Sequence, residues 1–240
     1  MGGIWLEKQR ELNNLNIFDG NDELVVDSRF LKAEDIDRKY VYLFLKRLMD
    51  ILGSLTGLIA LTPLFLFIAI LIKKEEKRGP IFFSQTRIGK KGKEFKMYKF
   101  RSMCVGAEVK LKELLKYNEV EGAMFKIKDD PRVTKIGKFI RKTSIDELPQ
   151  LLNVLKGDMS LVGPRPPLER EVKKYSTYDK QRLIVKPGCT GIWQISGRNE
   201  VGFNEMVEMD VKYIRNLSVL NDIKIIFKTV WVMIKPNGAY

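Results

Sequence analysis

The chain contains no histidine. That absence removes Ser-His-Asp chemistry, histidine general bases and histidine-ligated zinc or iron. Any catalysis must run on carboxylates, amines, hydroxyls or an oxygen-ligated metal such as Mg²⁺. Cysteine is scarce as well: Cys104 and Cys189 stand in unrelated contexts, without metal-ligand spacing. A disulfide framework is excluded, and a reducing compartment fits. Acidic residues are in deficit, 30 against 43 lysines and arginines, which leaves a net charge of +13 over 240 residues. An excess of that sign points to a polyanionic partner: nucleic acid, an anionic membrane surface or phosphorylated substrates. No helix-turn-helix, zinc spacing or RRM-type aromatic set accompanies the charge, which argues against nucleic acid. Internal repeats and low-complexity tracts are also missing.

What is present begins with a long apolar run, LMDILGSLTGLIALTPLFLFIAILI, from Leu48 to Ile72. As one straight helix it would rise roughly 37 Å, against a bilayer core of about 30 Å. It is too long, and too far from the N-terminus, for a signal peptide. Arg38, Lys39, Lys46 and Arg47 precede it, and Lys73, Lys74, Lys77 and Arg78 follow it. With both flanks basic, the positive-inside rule names no single cytoplasmic end. Thr62-Pro63 interrupts the run, and proline removes a helix hydrogen bond and disfavours helical geometry just before it. The arms of about 15 and 9 residues would rise roughly 22 and 14 Å, so neither spans alone. A helix-break-helix that enters one leaflet and returns puts both basic flanks in the cytoplasmic headgroup layer. A spanning helix with a tolerated kink is the alternative; the break favours re-entry. Asp50, one turn in, is expected to pair with Lys46 or Arg47 near the interface.

The remaining chain has material for one core. Residues 1–40 read as a polar N-terminal arm on the cytosolic side, 41–74 as the membrane segment and 75–240 as a globular domain. GPIFFSQTRIGKKGKEFKMYKFRSM alternates apolar and polar residues around a Gly-Lys turn, which predicts a short hairpin. AEVKLKELLKYN reads as a helix, DDPRVTKIGKFIRKTS as a turn and a short basic helix, 167–182 as a further charged helix, and KPGCTGIWQISGRNE as a glycine-rich loop. Ile223, Ile226, Phe227, Val230, Trp231 and Ile234 recur on one helical face. That face suits a lipid interface with tryptophan at headgroup depth, and packing on the protein's own core explains it equally. The expected fold class is α+β and mostly helical. It combines a re-entrant helix-break-helix membrane segment with a small cytosolic domain that has a short β-hairpin and interfacial amphipathic helices.

The chemistry concentrates in TSIDELPQLLNVLKGDMSLVGPR, residues 143–165. Pro149 is tolerated only in the first turn of a helix, so the helix should begin near 145–147. Ser144 and Glu147 have capping-box spacing. Asp146 and Glu147 then lie at the positive helix end, where Asp146 should stay ionised as a nucleophile or metal ligand must. The same end can receive a phosphate. Leu148, Leu151, Leu152 and Leu155 bury one side, while Asp146, Gln150 and Asn153 form a polar stripe. Acidic residues also cap helices with no chemistry at all, so the dyad alone decides nothing. Gly163-Pro164-Arg165-Pro166-Pro167, however, holds a guanidinium on a stiff backbone, a suitable fork for phosphate. Lys99, Arg101, Arg132, Arg141 and Arg198 add cations beside turn signals, and Asp158 adds a carboxylate able to help hold Mg²⁺. Together they point to metal-assisted phosphate chemistry.

KRLMDILGSL…LTPLF, the hairpin segment, the TSIDELPQLLNVLKGDMSLVGPRP run and KPGCTGIWQISGRN together resemble the bacterial sugar transferases over about residues 40–236. These are the monotopic phosphoglycosyl transferases, or polyprenyl-phosphate hexose-1-phosphate transferases. The resemblance implies transfer of a sugar-1-phosphate from a UDP-sugar, UDP-glucose or UDP-galactose foremost, to undecaprenyl phosphate with release of UMP. The lipid product would start capsule, O-antigen or exopolysaccharide assembly by downstream glycosyltransferases. It implies a location in membrane lipid at the cytoplasmic face of the bacterial inner membrane, with 75–240 as the catalytic domain. Asp146 would be the nucleophile that forms a covalent phosphosugar, and Glu147, with Asp146 and Asp158, the Mg²⁺ site. Lys99, Arg101, Arg132, Gln150, Asn153, Arg165 and Arg198 would serve substrate phosphates, and Thr62-Pro63 would be the re-entrant break. Larger members carry N-terminal transmembrane helices and a further soluble domain where this sequence has about 40 polar residues. The amphipathic surfaces leave room for a homodimer. A non-catalytic membrane scaffold would explain the apolar run and the tail, but not the Asp-Glu and Gly-Pro-Arg-Pro spacing.

Overall fold

Proline at 63 has no amide hydrogen to give, and the helix that reaches it stops short. The computed structural model describes residues 30–114, 127, 130–196 and 202–234, without the side chains of 108, 111–113, 233 and 234. In it, α1 (Ala33–Asp37) leads to α2 (Tyr40–Ala60), which ends at Leu61, and α3 (Thr62–Glu75) restarts with Pro63 in its first turn. A missing donor costs nothing there. The axes of α2 and α3 differ by 58°. Among the described residues no single helix is long and apolar enough to cross a membrane; only the bent pair together is, by length and composition.

The hairpin forms as its alternation predicts. β1 (Phe82–Ile88) and β2 (Glu94–Phe100) run antiparallel, with Phe82 opposite Phe100 and Ile88 opposite Glu94. Lys91 and Gly92 close the turn, both at positive φ. Beyond it come α4 (Ala107–Leu114), α5 (Lys135–Lys142), a tight turn at Ile145–Glu147, and α6 (Gln150–Lys156). β3 (Ser160–Val162) pairs in parallel with β4 (Gly188–Thr190), a small sheet that no sequence pattern announces. The helix expected over 167–182 is broken into α7 (Glu169–Val172) and α8 (Thr177–Lys180). Ser176 and Asp179 cap each other's backbone amides and start a new helix there. α9 (Ile192–Ile195), α10 (Phe203–Arg215) and α11 (Val219–Ile234) complete the described chain. The last residues of AEVKLKELLKYN, 115–118, lie outside the described residues.

The bent pair is docked through its first half. Asp50, Gly53, Ser54 and Gly57 share one face of α2 by their i, i+3, i+4, i+7 spacing, and that face meets α6 and β3. A Cβ at Gly53 would stand 2.7 Å from a Leu161 methyl, and one at Gly57 3.0 Å from a Leu151 methyl, so the two glycines let α2 approach these side chains closely. Asp50 does not bond Lys46 or Arg47 as expected. Its Oδ1 accepts from the Ser160 hydroxyl at 2.9 Å and the Leu161 amide at 2.8 Å. Arg47 instead donates to the Val154 and Leu155 carbonyls at 2.7 and 2.9 Å, where the C-terminus of α6 is negative. Lys46 donates to the Asp222 carboxylate at 2.9 Å, the Val162 carbonyl at 3.0 Å and the Tyr213 hydroxyl at 3.2 Å. Tyr42 and Tyr213 donate to the same buried carboxylate at 3.0 and 2.8 Å. The opposite face of α2, with Phe44, Leu48, Leu52, Leu55 and Ile59, is exposed.

Two other expectations change. The arm before residue 40 is integrated from residue 31 onward. Ile36 is buried in one cluster with Val162, Ile184, Tyr213 and Ile225, and the Leu31 amide donates to Gln181 at 2.7 Å. Of the two readings left open for the α11 stripe, its described residues do not favour packing on the protein's own core: Asp222 and Ile225 face inward, Ile226 is partly covered, and Ile223, Phe227, Val230 and Trp231 face out.

Candidate active site

The two acids do not open α6. Ser144 sits in the left-handed region at φ 57°, its side chain makes no cap, and the expected capping box is absent. Instead the Glu147 amide bonds the Ser144 carbonyl and the Leu148 amide bonds the Ile145 carbonyl, both at 3.2 Å, making a separate three-residue turn. Pro149 then precedes α6 in helical geometry. Successive residues of so tight a turn point about 120° apart. Asp146 therefore turns inward, with 7% of its surface exposed, while Glu147 stays partly exposed.

Lys99, from β2, reaches the turn and pairs with Glu147 Oε1 at 2.6 Å. Burial pushes the Asp146 carboxyl up to about 6; Lys99 and Arg141 oppose that rise and Glu147 reinforces it. A turn this short offers little macrodipole to resist burial. With the carboxyl near 6, the carboxylate is the larger population at pH 7.

Arg165 lies on the loop after β3 and pairs with the buried Glu171 at 3.2 Å. Close to it is a residue that the sequence reading passed over. Arg87 on β1 is buried, donates to the Pro166 carbonyl at 3.0 Å and to Gln85 at 2.9 Å, and keeps its Nε buried without a hydrogen-bond partner. Burial, then Arg165, pushes its guanidinium down to about 10, with Glu171 and Glu147 opposing. Phe83, Gln85 and Arg87 occupy the less exposed alternate positions of β1, but both alternating sets mix apolar and polar residues, so the sequence gives no signal for the covered face. Glu147 is thus the link between two groups: it acts on Asp146 and pairs with Lys99 on one side, and it acts on Arg87, beside Arg165 and Glu171, on the other.

The family model described as bacterial sugar transferase matches residues 41–236. The chain belongs to the bacterial sugar transferase family. It is 54% identical over 202 residues to the galactosyl transferase CpsE of Streptococcus agalactiae, covering 84% of this chain and 44% of that protein. It is 47% identical over 201 residues to the undecaprenyl-phosphate galactose phosphotransferase of Salmonella typhimurium, covering 82% and 42%. It is 44% identical over 199 residues to the exopolysaccharide production protein ExoY of Sinorhizobium fredii, covering 81% and 88%. The chain thus matches less than half the length of the first two relatives and most of the third.

Most of the other residues proposed for the site of this sugar transferase are buried or have partners of their own. Asn153 is fully buried; its Oδ1 accepts from the Tyr98 amide at 3.0 Å and its Nδ2 donates to the Lys96 carbonyl at 2.7 Å. It holds α6 to β2 and has no surface for a substrate. Gln150, beside Pro149, is buried. Arg132 is chelated by Asp130 and also donates to the Ala107 carbonyl. Arg101 faces Glu76 at 3.9 Å, beside the end of α3. Asp158 follows the far end of α6, and a seven-residue helix separates the two ends by about 10 Å. Arg198 lies outside the described residues.

Among the described residues no three acids or cysteines gather as a ready-made metal cage. The adjacent carboxylates of Asp146 and Glu147 still fit Mg²⁺, which is commonly held by one or two carboxylates plus substrate phosphates. Asp158 is too remote to join them.

Proposed function

We propose that this sugar transferase moves a hexose-1-phosphate from a UDP-sugar to undecaprenyl phosphate, releasing UMP. The observation that carries the reading is Asp146: an inward carboxylate on a tight turn, within electrostatic reach of Lys99, Glu147 and Arg141 and beside the Lys99–Glu147 pair. An Asp146 oxygen attacks the phosphorus that bears the sugar, forming an acyl phosphate as the diphosphate P–O bond breaks and UMP leaves with the electron pair. An oxygen of undecaprenyl phosphate then attacks the same phosphorus and releases the carboxylate. Glu147 and Asp146 would hold Mg²⁺, which would supply charge neutralisation for the diphosphate. Lys99 positions Glu147, and Arg165 offers a guanidinium to phosphate oxygens. Two relatives bear names with galactose in them, so UDP-galactose is the donor to try first.

The acceptor's apolar chain asks for a site at lipid level. The bent α2–α3 pair, the exposed face of α2 and the outward apolar face of α11 support a re-entrant seat in the cytoplasmic leaflet of the bacterial inner membrane. UMP release from UDP-galactose should require both Mg²⁺ and a polyprenyl phosphate, and donor-treated protein should carry a phosphohexose on Asp146 by mass spectrometry. Product without that adduct in rapid-quench samples would replace the two-step route by direct displacement. No UMP release with any UDP-sugar would leave the scaffold reading.

A further inference from the structure

Eight residues as basic as KIGKFIRK do not make a stable helix in water, so α5 exists by virtue of what it packs on. Ile136 and Ile140 join Ile68 and Ile72 of α3 and Phe100 of β2 in one apolar cluster. Glu75, in the last turn of α3, accepts the Lys135 and Ile136 amides at 2.7 and 3.0 Å. α5 therefore lies alongside the end of α3 where the apolar pair emerges. Its other face is uncovered. Phe139 is 49% exposed, and Lys135 and Lys142, at i−4 and i+3, share its side of the helix, with Lys138 adjacent. Lys74, Lys77 and Arg78, all exposed, continue the charge from the end of α3. The nearby acids are engaged: Glu75 on α5, and Glu76 on the Val105 amide at 3.0 Å and beside Arg101.

We propose that this patch is a binding site for anionic phospholipid headgroups. Phe139 enters the acyl boundary, and the surrounding cations contact lipid phosphates. A single exposed aromatic ringed by lysines suits an interface that is apolar within and negative at its surface. A soluble anion would engage the cations and leave Phe139 in water. The inference rests on the membrane seat proposed above, but asks for something different: the apolar pair holds to any bilayer, whereas α5 engages only a negatively charged one. Its consequence reaches the chemistry, because Lys142 precedes Asp146 by four residues and Ile145 packs on the same cluster. Headgroup contact at α5 sets the height of the dyad over the leaflet.

The test uses the full chain in nanodiscs, with neither donor nor acceptor present, so that no substrate phosphate can contribute. In a Cys104→Ser, Cys189→Ser background, Phe139→Cys carries an environment-sensitive fluorophore. Discs containing about 30% phosphatidylglycerol should shift its emission to the blue and shield it from an aqueous quencher, relative to pure phosphatidylcholine. Salt at about 1 M, where the Debye length is about 3 Å, should abolish the shift. The K135Q/K138Q/K142Q variant should lose the shift while staying in the disc, and Lys138→Gln alone should lose part of it. Equal emission in the two lipids overturns the proposal, whether the probe is buried in both or in neither. A shift produced by inorganic phosphate in neutral discs overturns it in favour of a soluble-anion site. Failure to enter either disc strikes instead at the membrane seat.

Discussion

Replacing the proposed nucleophile should stabilise the protein that it disables. In the metal-free fold, burial lifts the Asp146 carboxyl from 3.8 to about 6. A group that holds its proton more tightly folded than unfolded favours folding below 3.8. That contribution is lost as pH rises through about 6, and the fold stays weaker above. A difference of about 2 units corresponds to on the order of 3 kcal/mol at neutral pH. Asparagine has nearly the same shape and no charge, so Asp146→Asn escapes the loss. Urea unfolding of both proteins in EDTA, from pH 4 to pH 8, should show a stability gap that opens between pH 4 and about 6.5 and then stays level. Mg²⁺ should narrow it by binding the native dyad, and transfer by the variant should be abolished. A variant no more stable than the native protein at pH 8, or a gap indifferent to pH, would refute the claim that burial dominates at Asp146.

Lys46→Met strands the buried Asp222 charge with two tyrosine hydroxyls and should cost roughly 3–5 kcal/mol. K46M/D222N should recover part of that in urea, and equal losses for the single and double variants would absolve the charge. Arg165→Ala should lower kcat/KM for UMP release by at least about 30-fold, or ~2 kcal/mol, if the guanidinium contacts phosphate; unchanged kinetics would leave it only its Glu171 partner. Asn153→Leu should cost about 1–3 kcal/mol of stability by leaving the Tyr98 amide and Lys96 carbonyl unpaired, with an unaltered KM for the donor in the folded fraction. A raised KM at normal stability would return Asn153 to the substrate.

The features legible in the sequence are those with a local cause. Pro63 cannot continue the helix before it and fits the first turn of the next, the hairpin follows from alternation around Lys91-Gly92, and the short basic α5 follows its Thr134 cap. The acids at 146 and 147 were recognisable as a pair, but their division into inward and outward roles depends on Ser144 adopting positive φ, which sequence spacing does not express. Partners across the chain were the least visible. Asp50 finds Ser160, Lys46 finds Asp222, and Arg87 settles beside Arg165, none of which periodicity can signal. The same holds for the β3–β4 pair, two three-residue strands joined only by tertiary contact, and for Ile36, whose burial depends on Tyr213 and Ile225.

The anchoring of α2 also dictates an order of events during synthesis. Lys46, Arg47 and Asp50 bond to residues from 154 to 222, which the ribosome has yet to make when the apolar pair emerges. At about 5–20 residues per second, the first of those partners trails by roughly 5–20 seconds. For that interval Gly53 and Gly57 have no α6 or β3 to lean on. On the proposed membrane seat, the nascent pair would shelter in lipid before the domain that clasps it exists, so membrane entry would precede folding and the rest of the domain would assemble onto a segment already in place.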